Sequence, residues 1–117
     1  MTIFLRARGK VQVDNELEFR ALAFALQGLA ARESGTVTYR WFSEGFGIYV
    51  VLEEYVDAAA ALGHNQRAAD LLARLSQAVD IKEIELYGDI GPELEAYAAG
   101  LPQANLYREL LPPPRTT

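Results

Sequence analysis

Apolar residues recur along the chain with two periods, and the period changes where Gly, Pro or a capping residue intervenes. Residues 2–8, TIFLRAR, alternate and carry β-formers, which predicts a strand ended by Gly9. Residues 15–32 switch to helical spacing. Asn15 is placed to cap that helix, and Glu18 stands three positions on, where a capping-box partner belongs. Leu17, Phe24, Leu26 and Leu29, with several alanines, make its apolar stripe; Gly28 is its weak point, at about 1 kcal/mol relative to Ala. Ser34-Gly35 ends the segment. Residues 36–42, TVTYRWF, predict a second strand, Ser43-Glu44-Gly45-Phe46-Gly47 a five-residue hairpin loop, and residues 48–55, IYVVLEEY, a third strand. Asp57 can cap a second helical segment. Gly63-His64-Asn65 interrupts that segment, so the pattern predicts a short helix over 57–62 and a longer one over 65–79 carrying Leu71, Leu72, Leu75 and Val79. Residues 81–87, IKEIELY, predict a fourth strand closed by Gly88-Asp89.

The order is strand, helix, strand, hairpin, strand, helix, strand. This is the α+β, ferredoxin-like split βαβ arrangement, a pseudo-repeat of residues 1–42 and 48–87. It predicts a four-stranded antiparallel sheet of order 4-1-3-2 with helices on one face. A short helix over 92–99 opens at Pro92, the favoured first position, and completes a single domain over residues 1–100. Residues 101–117 are a C-terminal extension. Leu106, Tyr107, Leu110 and Leu111 make it too apolar for a free tail, so it either crosses to a partner or folds back. Pro112-Pro113-Pro114 stops regular structure, and the last residues are expected to be disordered.

Side chains alternate across a strand, so each strand supplies two rows. The apolar rows Ile3, Leu5, Ala7; Val37, Tyr39, Trp41; Ile48, Val50, Leu52; and Ile84, Leu86 are expected to face the helices. The opposite rows are mixed: Phe4, Arg6, Arg8; Thr38, Arg40, Phe42; Tyr49, Val51, Glu53, Tyr55; and Ile81, Glu83, Glu85, Tyr87. Their charges alternate in sign from strand to strand, which favours this register. So many aromatics and aliphatics on a second face predict a homodimer whose sheets pack face to face, with Tyr55 and Arg40 on the dimer side.

Composition narrows the function. The chain has 117 residues, a net charge of -5 and no cysteine. The length suits one domain. The absence of cysteine removes disulfide scaffolds, thiolate metal sites and cysteine nucleophiles. The acidic balance argues against nucleic acid and anionic membranes as partners. No apolar run approaches the roughly 20 residues that span a bilayer, and the first ten residues do not read as a signal peptide, so a cytoplasmic protein is expected.

The chain carries no Walker loop, no G-x-G-x-x-G and no H-E-x-x-H. A single histidine weakens a zinc site, and Asp80, Glu83 and Glu85 read as ion-pair residues before they read as cation ligands. What is left is an apolar pocket between helices and sheet. Tyr39 and Trp41 point into it from the second strand, either as core or as ligand contacts. His64 lies at the expected helix break, either turned inward as a titrating group or exposed at a helix start.

The stretch TVTYRWFSEGFGIYVVLEEYVDAAAALGHNQ, with VDIKEIELYGDIGPEL and the helix start Glu18-Phe19-Arg20-Ala21-Leu22, resembles the antibiotic biosynthesis monooxygenase family over roughly residues 1–95. The resemblance implies a dimeric α+β barrel. Characterised members of that family oxidise phenolic or quinol-type aromatics with molecular oxygen and use no flavin, haem or metal; the deprotonated substrate is itself the electron donor. The protein then supplies a pocket, an orienting aromatic and a base, places that Trp41, Tyr39 and His64 would fill. A haem-degrading branch of the same architecture also has a helix-borne histidine. It carries an asparagine on strand one and a tryptophan ending strand three, where this chain has Ile3 to Arg8 and Tyr55. The expectation is a cofactor-independent monooxygenase acting on a small aromatic or quinol-type molecule and O2. The alternative is a non-catalytic module binding a small ligand or a protein through the same pocket.

Overall fold

A computed structural model describes residues 2–112 of the chain. The elements run β1 (Ile3–Lys10), α1 (Glu16–Ala31), β2 (Thr36–Gly45), β3 (Ile48–Tyr55), α2 (Ala58–Arg67), α3 (Ala69–Ala78), β4 (Asp80–Tyr87), α4 (Gly91–Ala99) and β5 (Ala104–Tyr107). The sheet order is β2-β3-β1-β4-β5. Its first four strands are the expected antiparallel ferredoxin-like set, and β5 adds to β4 in parallel. The extension thus takes the path back onto its own sheet, and Tyr107 stacks on Tyr87 with ring centroids 4.9 Å apart. The expected disorder of the last residues concerns positions 113–117, outside the described residues.

Tertiary packing corrects several local expectations. The buried stripe of α1 is Phe19, Leu22, Ala23, Leu26 and Ala30, whereas Leu17 and Phe24 stand 85% and 82% exposed. Asn15 precedes α1 without a side-chain cap bond, and Glu18 pairs instead with Arg74. Asp57 does cap α2, accepting from the Ala60 N–H at 2.9 Å. Gly63-His64-Asn65 does not break that helix. Ala61, His64 and Ala68 bury one face at i, i+3, i+7, and this packing outweighs the poor propensity of the triplet. The break falls at Ala68, between α2 and α3. The β2–β3 hairpin is tighter than five residues, since Gly45 already pairs with Ile48. Gly47 has φ +77° and its carbonyl accepts from the Val11 N–H at 2.8 Å; a Cβ there would lie 2.6 Å from the Val11 carbonyl oxygen.

The largest correction concerns β3. Directly opposed residues of neighbouring strands share a face, and Val51 lies opposite both Trp41 and Ala7. Tyr49, Val51, Glu53 and Tyr55 therefore face the helices, while Ile48, Val50 and Leu52 turn outward. Tyr55 is buried in the core rather than on the outer face where it was expected; Arg40 is on that outer face, over the Phe42 ring. A register shift in the β1–β4 ladder between Arg8 and Gly9 likewise turns Ile81 inward. On the outer face Glu54 takes the position expected of Glu53 and accepts from Thr38. Arg6 reaches Glu85 at 3.3 Å and Glu83 at 3.6 Å.

The core forms two clusters. One gathers α1, α3 and the β2–β3 aromatics around Phe19, Leu26 and Tyr49. The other gathers α2 and α4 around Ile3, Tyr55, Leu86 and Leu94. A cavity between the sheet and the helices draws its walls from both.

Candidate active site

The cavity has a volume of about 250 Å³ and lies between the inner sheet face and the helices. Its floor is built from alternate residues of β1 to β4, including Leu5, Ala7, Val51, Ile84 and Leu86. Leu72, Leu75 and Val79 roof one end, and Leu94, Tyr97 and Leu101 the other. Nearly all of this lining is apolar, so the few polar groups in it stand out.

His64 enters from α2 and is 1% exposed. Its Nδ1 lies 2.7 Å from Glu33 Oε1, and its ring sits beside those of Tyr39 and Tyr55, at 5.2 and 5.6 Å. Glu33 follows α1 in the turn toward β2. Its carboxylate also accepts from Arg67 at 2.7 Å and from Thr36 at 2.9 Å. Burial pushes the Glu33 pKa up, but hydrogen bonds from Arg67, His64 and Thr36 outweigh it and hold the group below the usual carboxylate range. A charged Glu33 fixes His64 with the proton on Nδ1, leaving Nε2 as the acceptor. Gly35 makes this possible. A Cβ there would lie 2.7 Å from the Ala60 Cβ, so only glycine lets the turn close on α2.

Glu53 reaches the cavity from β3, with the Tyr55 hydroxyl donating to its Oε1. Burial raises its pKa to about 7; the Tyr55 bond opposes the rise and the charge of Glu33 adds to it. Near neutral pH both the protonated and the charged form of Glu53 are therefore accessible. Tyr39 and Tyr55 are pushed the other way from reactivity: burial, and the nearby carboxylates, raise both hydroxyls far above the normal phenol range. They act as neutral donors. Trp41 lines the cavity with its ring edge-on to Phe19, and its indole N–H has no partner among the described residues.

The three residues singled out in the sequence, Tyr39, Trp41 and His64, thus meet at one cavity. Sequence reasoning missed Glu53, because β3 has two apolar rows and the wrong one was turned inward. It missed Glu33, because nothing local marks a turn carboxylate whose partner is 31 positions away. Among the described residues no group of three or more His, Asp or Glu side chains is placed to hold a metal, and Asp80, Glu83 and Glu85 do not converge.

Residues 2–74 match the family model described as antibiotic biosynthesis monooxygenase. The chain belongs to that family. Solved structures agree on the fold. MupZ from Pseudomonas fluorescens superposes with a TM-score of 0.78 at 19% identity, covering 97% of this chain and 94% of that one. A conserved protein from Methanosarcina mazei Go1 gives 0.69 at 24% identity over 74% of this chain and 91% of its own. SnoaB, a cofactor-independent oxygenase from Streptomyces nogalater, gives 0.63 at 17% identity over 73% and 89%. No protein with a curated description matches the chain. Among the described residues no helix is long and apolar enough to cross a membrane.

Proposed function

We propose that this family member is a cofactor-independent monooxygenase that oxidises a small aromatic or quinol-type substrate with molecular oxygen. One observation carries the reading: two proton-accepting groups, His64 and Glu53, face a single apolar cavity. An engineered cavity of about 150 Å³ holds a benzene ring, so this larger one has room for a fused aromatic. Family membership supports the chemistry, as does the fold shared with SnoaB, described as a cofactor-independent oxygenase.

In this mechanism the substrate ring packs against Trp41 and Tyr39. His64 Nε2 takes the substrate hydroxyl proton, and Glu33 stabilises the imidazolium that forms. The electron-rich anion then reduces O2. One oxygen atom is added at a ring carbon that carries a single hydrogen; that hydrogen and the hydroxyl proton leave with the other oxygen atom as water, so the phenol becomes a quinone. Glu53, hydrogen-bonded by Tyr55, supplies a proton to the departing oxygen. An apolar cavity protects the anion and its reduced-oxygen partner from bulk water. The active species is proposed to be a homodimer joined through the outer sheet face.

The test is oxygen uptake by metal-free, flavin-free protein with a panel of hydroquinones and anthrones. Uptake above autoxidation is expected, falling about 10²- to 10⁴-fold in His64→Ala, the usual worth of a general base. Uptake unchanged in His64→Ala and lost in Glu53→Gln moves the base to Glu53. Ligand binding without uptake across the panel puts the small-ligand-binding module ahead of the enzyme.

A further inference from the structure

Helix α1 is apolar on two faces. Opposite its buried stripe, Leu17, Ala21, Phe24, Gly28 and Ala31 all lie open to solvent, and Leu17 and Phe24 are large. Their spacing is 4-3-4-3, the seam of a helix that packs against another helix. Among the described residues nothing of the chain itself covers this face, and a Cβ at Gly28 would meet no atom within 4 Å. Glycine weakens a helix interior, so a glycine with no neighbour in its own chain has its use outside it. The face points away from the core and the sheet, and is separate from the cavity.

The pattern is complementary to itself. When two copies of α1 run antiparallel about a two-fold axis, each flank of the seam meets the same flank of the other copy with its direction reversed. One flank carries Glu18, Ala25 and Arg32 at seven-residue intervals, with the acid in the first turn and the base at the C-terminal end. A crossing near Ala25 sets Glu18 of each copy against Arg32 of the other, so two ion pairs form. Arg32 has no ion-pair partner in its own chain among the described residues. Glu18 touches Arg74 at 3.2 Å but keeps half of its side chain in solvent. The other flank, Arg20 and Gln27, brings no like charges together. A parallel pair would set the two acidic first turns side by side and match none of these charges. Sizes agree with the antiparallel register. A knob enters a hole made by four residues of the facing helix. Phe24 enters the hole of Ala21, Phe24, Ala25 and Gly28, in which three of the four are small, and Leu17 meets Ala31.

We infer that the exposed face of α1 docks a second copy of this chain, antiparallel, α1 against α1. The helix has 16 residues and is about 24 Å long. Such a contact is smaller than the roughly 1,200 Å² at which standard interfaces begin, so it forms at high protein concentration, with a Kd of about 100 μM. It stands without the oxygenase reading and without the dimer through the outer sheet face. The two faces lie on opposite sides of the chain, so both contacts together join dimers into larger assemblies.

The experiment is sedimentation equilibrium at low ionic strength on the full chain carrying Leu52→Glu, which isolates the α1 contact from the outer sheet face. The mass is expected to rise from one chain at about 5 μM to mostly two at about 1 mM. Gly28→Leu fills the hole. It is expected to raise the chain's urea midpoint, because leucine favours a helix, and to weaken pairing about tenfold. Glu18→Arg and Arg32→Glu each set like charges against one another and are expected to weaken self-pairing about tenfold. Mixed in equal amounts, these two variants restore both ion pairs and are expected to bind each other about as tightly as the parent binds itself. A chain that stays a monomer at about 1 mM, pairing that survives Gly28→Leu, or a mixture that pairs no better than its components overturns the inference.

Discussion

At the scale of single residues, the cavity concentrates groups whose protonation differs between the folded and unfolded chain. Glu53 holds its proton up to about pH 7 in the folded state, whereas in the unfolded chain it releases it in the ordinary glutamate range. Between those values the folded state binds more protons, so its stability falls as pH rises through the window, by about 3 kcal/mol at most. Glu53→Gln removes this loss. Its urea midpoint is expected to exceed that of the parent at about pH 8 and to match it at about pH 4. Glu33 works in the opposite sense. Its pKa is depressed, so its contribution is complete above the unfolded value and is lost as pH falls through the folded one. Glu33→Ala leaves His64 buried with no acceptor at Nδ1 and is expected to cost about 3 kcal/mol near neutral pH. Equal stability of that variant and the parent in urea would remove Glu33 from its positioning role.

At the scale of elements, the site depends on how closely the α1–β2 turn approaches α2. Gly35→Ala places a methyl group against Ala60, and relieving that overlap carries Glu33 away from His64. The expected cost is about 1–3 kcal/mol, and a Glu33→Gln substitution made on top is expected to cost less than it does alone. A double-mutant cycle with no coupling would separate the turn from the His64 network. Asp57→Ala removes the cap that starts the same helix and is expected to cost about 1 kcal/mol by urea denaturation. The strands, helices and their order were legible in the sequence because period and glycine placement change together at each boundary. The phase of β3 was not. Tyr49, Val51, Glu53 and Tyr55 and the alternate row Ile48, Val50 and Leu52 are both compatible with burial, and only the pairing of Val51 with Trp41 and Ala7 decides between them. Tyr39 and Trp41 were legible as inward residues because the polar Thr38 and Arg40 alternate with them. β5 was missed because four residues are too few to show a period.

At the scale of the molecule, the outer sheet face retains Phe4, Phe42, Val50 and Leu52 among paired charges, with Leu52 40% exposed in the single chain. The proposed homodimer covers this face. Leu52→Glu puts a charge at its centre, beside Arg6 and Arg40, and is expected to give a monomer in light scattering at micromolar protein with little change in the chain's own fold. A parent chain that is already monomeric there would remove the dimer. Trp41 is the only tryptophan of the chain, which gives the cavity an optical signature. All indole fluorescence comes from inside it. With its N–H unpaired and apolar walls around it, the empty protein is expected to emit at short wavelength. An oxygen acceptor arriving at Nε1 shifts that emission to the red, and a quinone quenches it by accepting the excited electron, so the occupancy of the cavity can be read optically in the unlabelled protein.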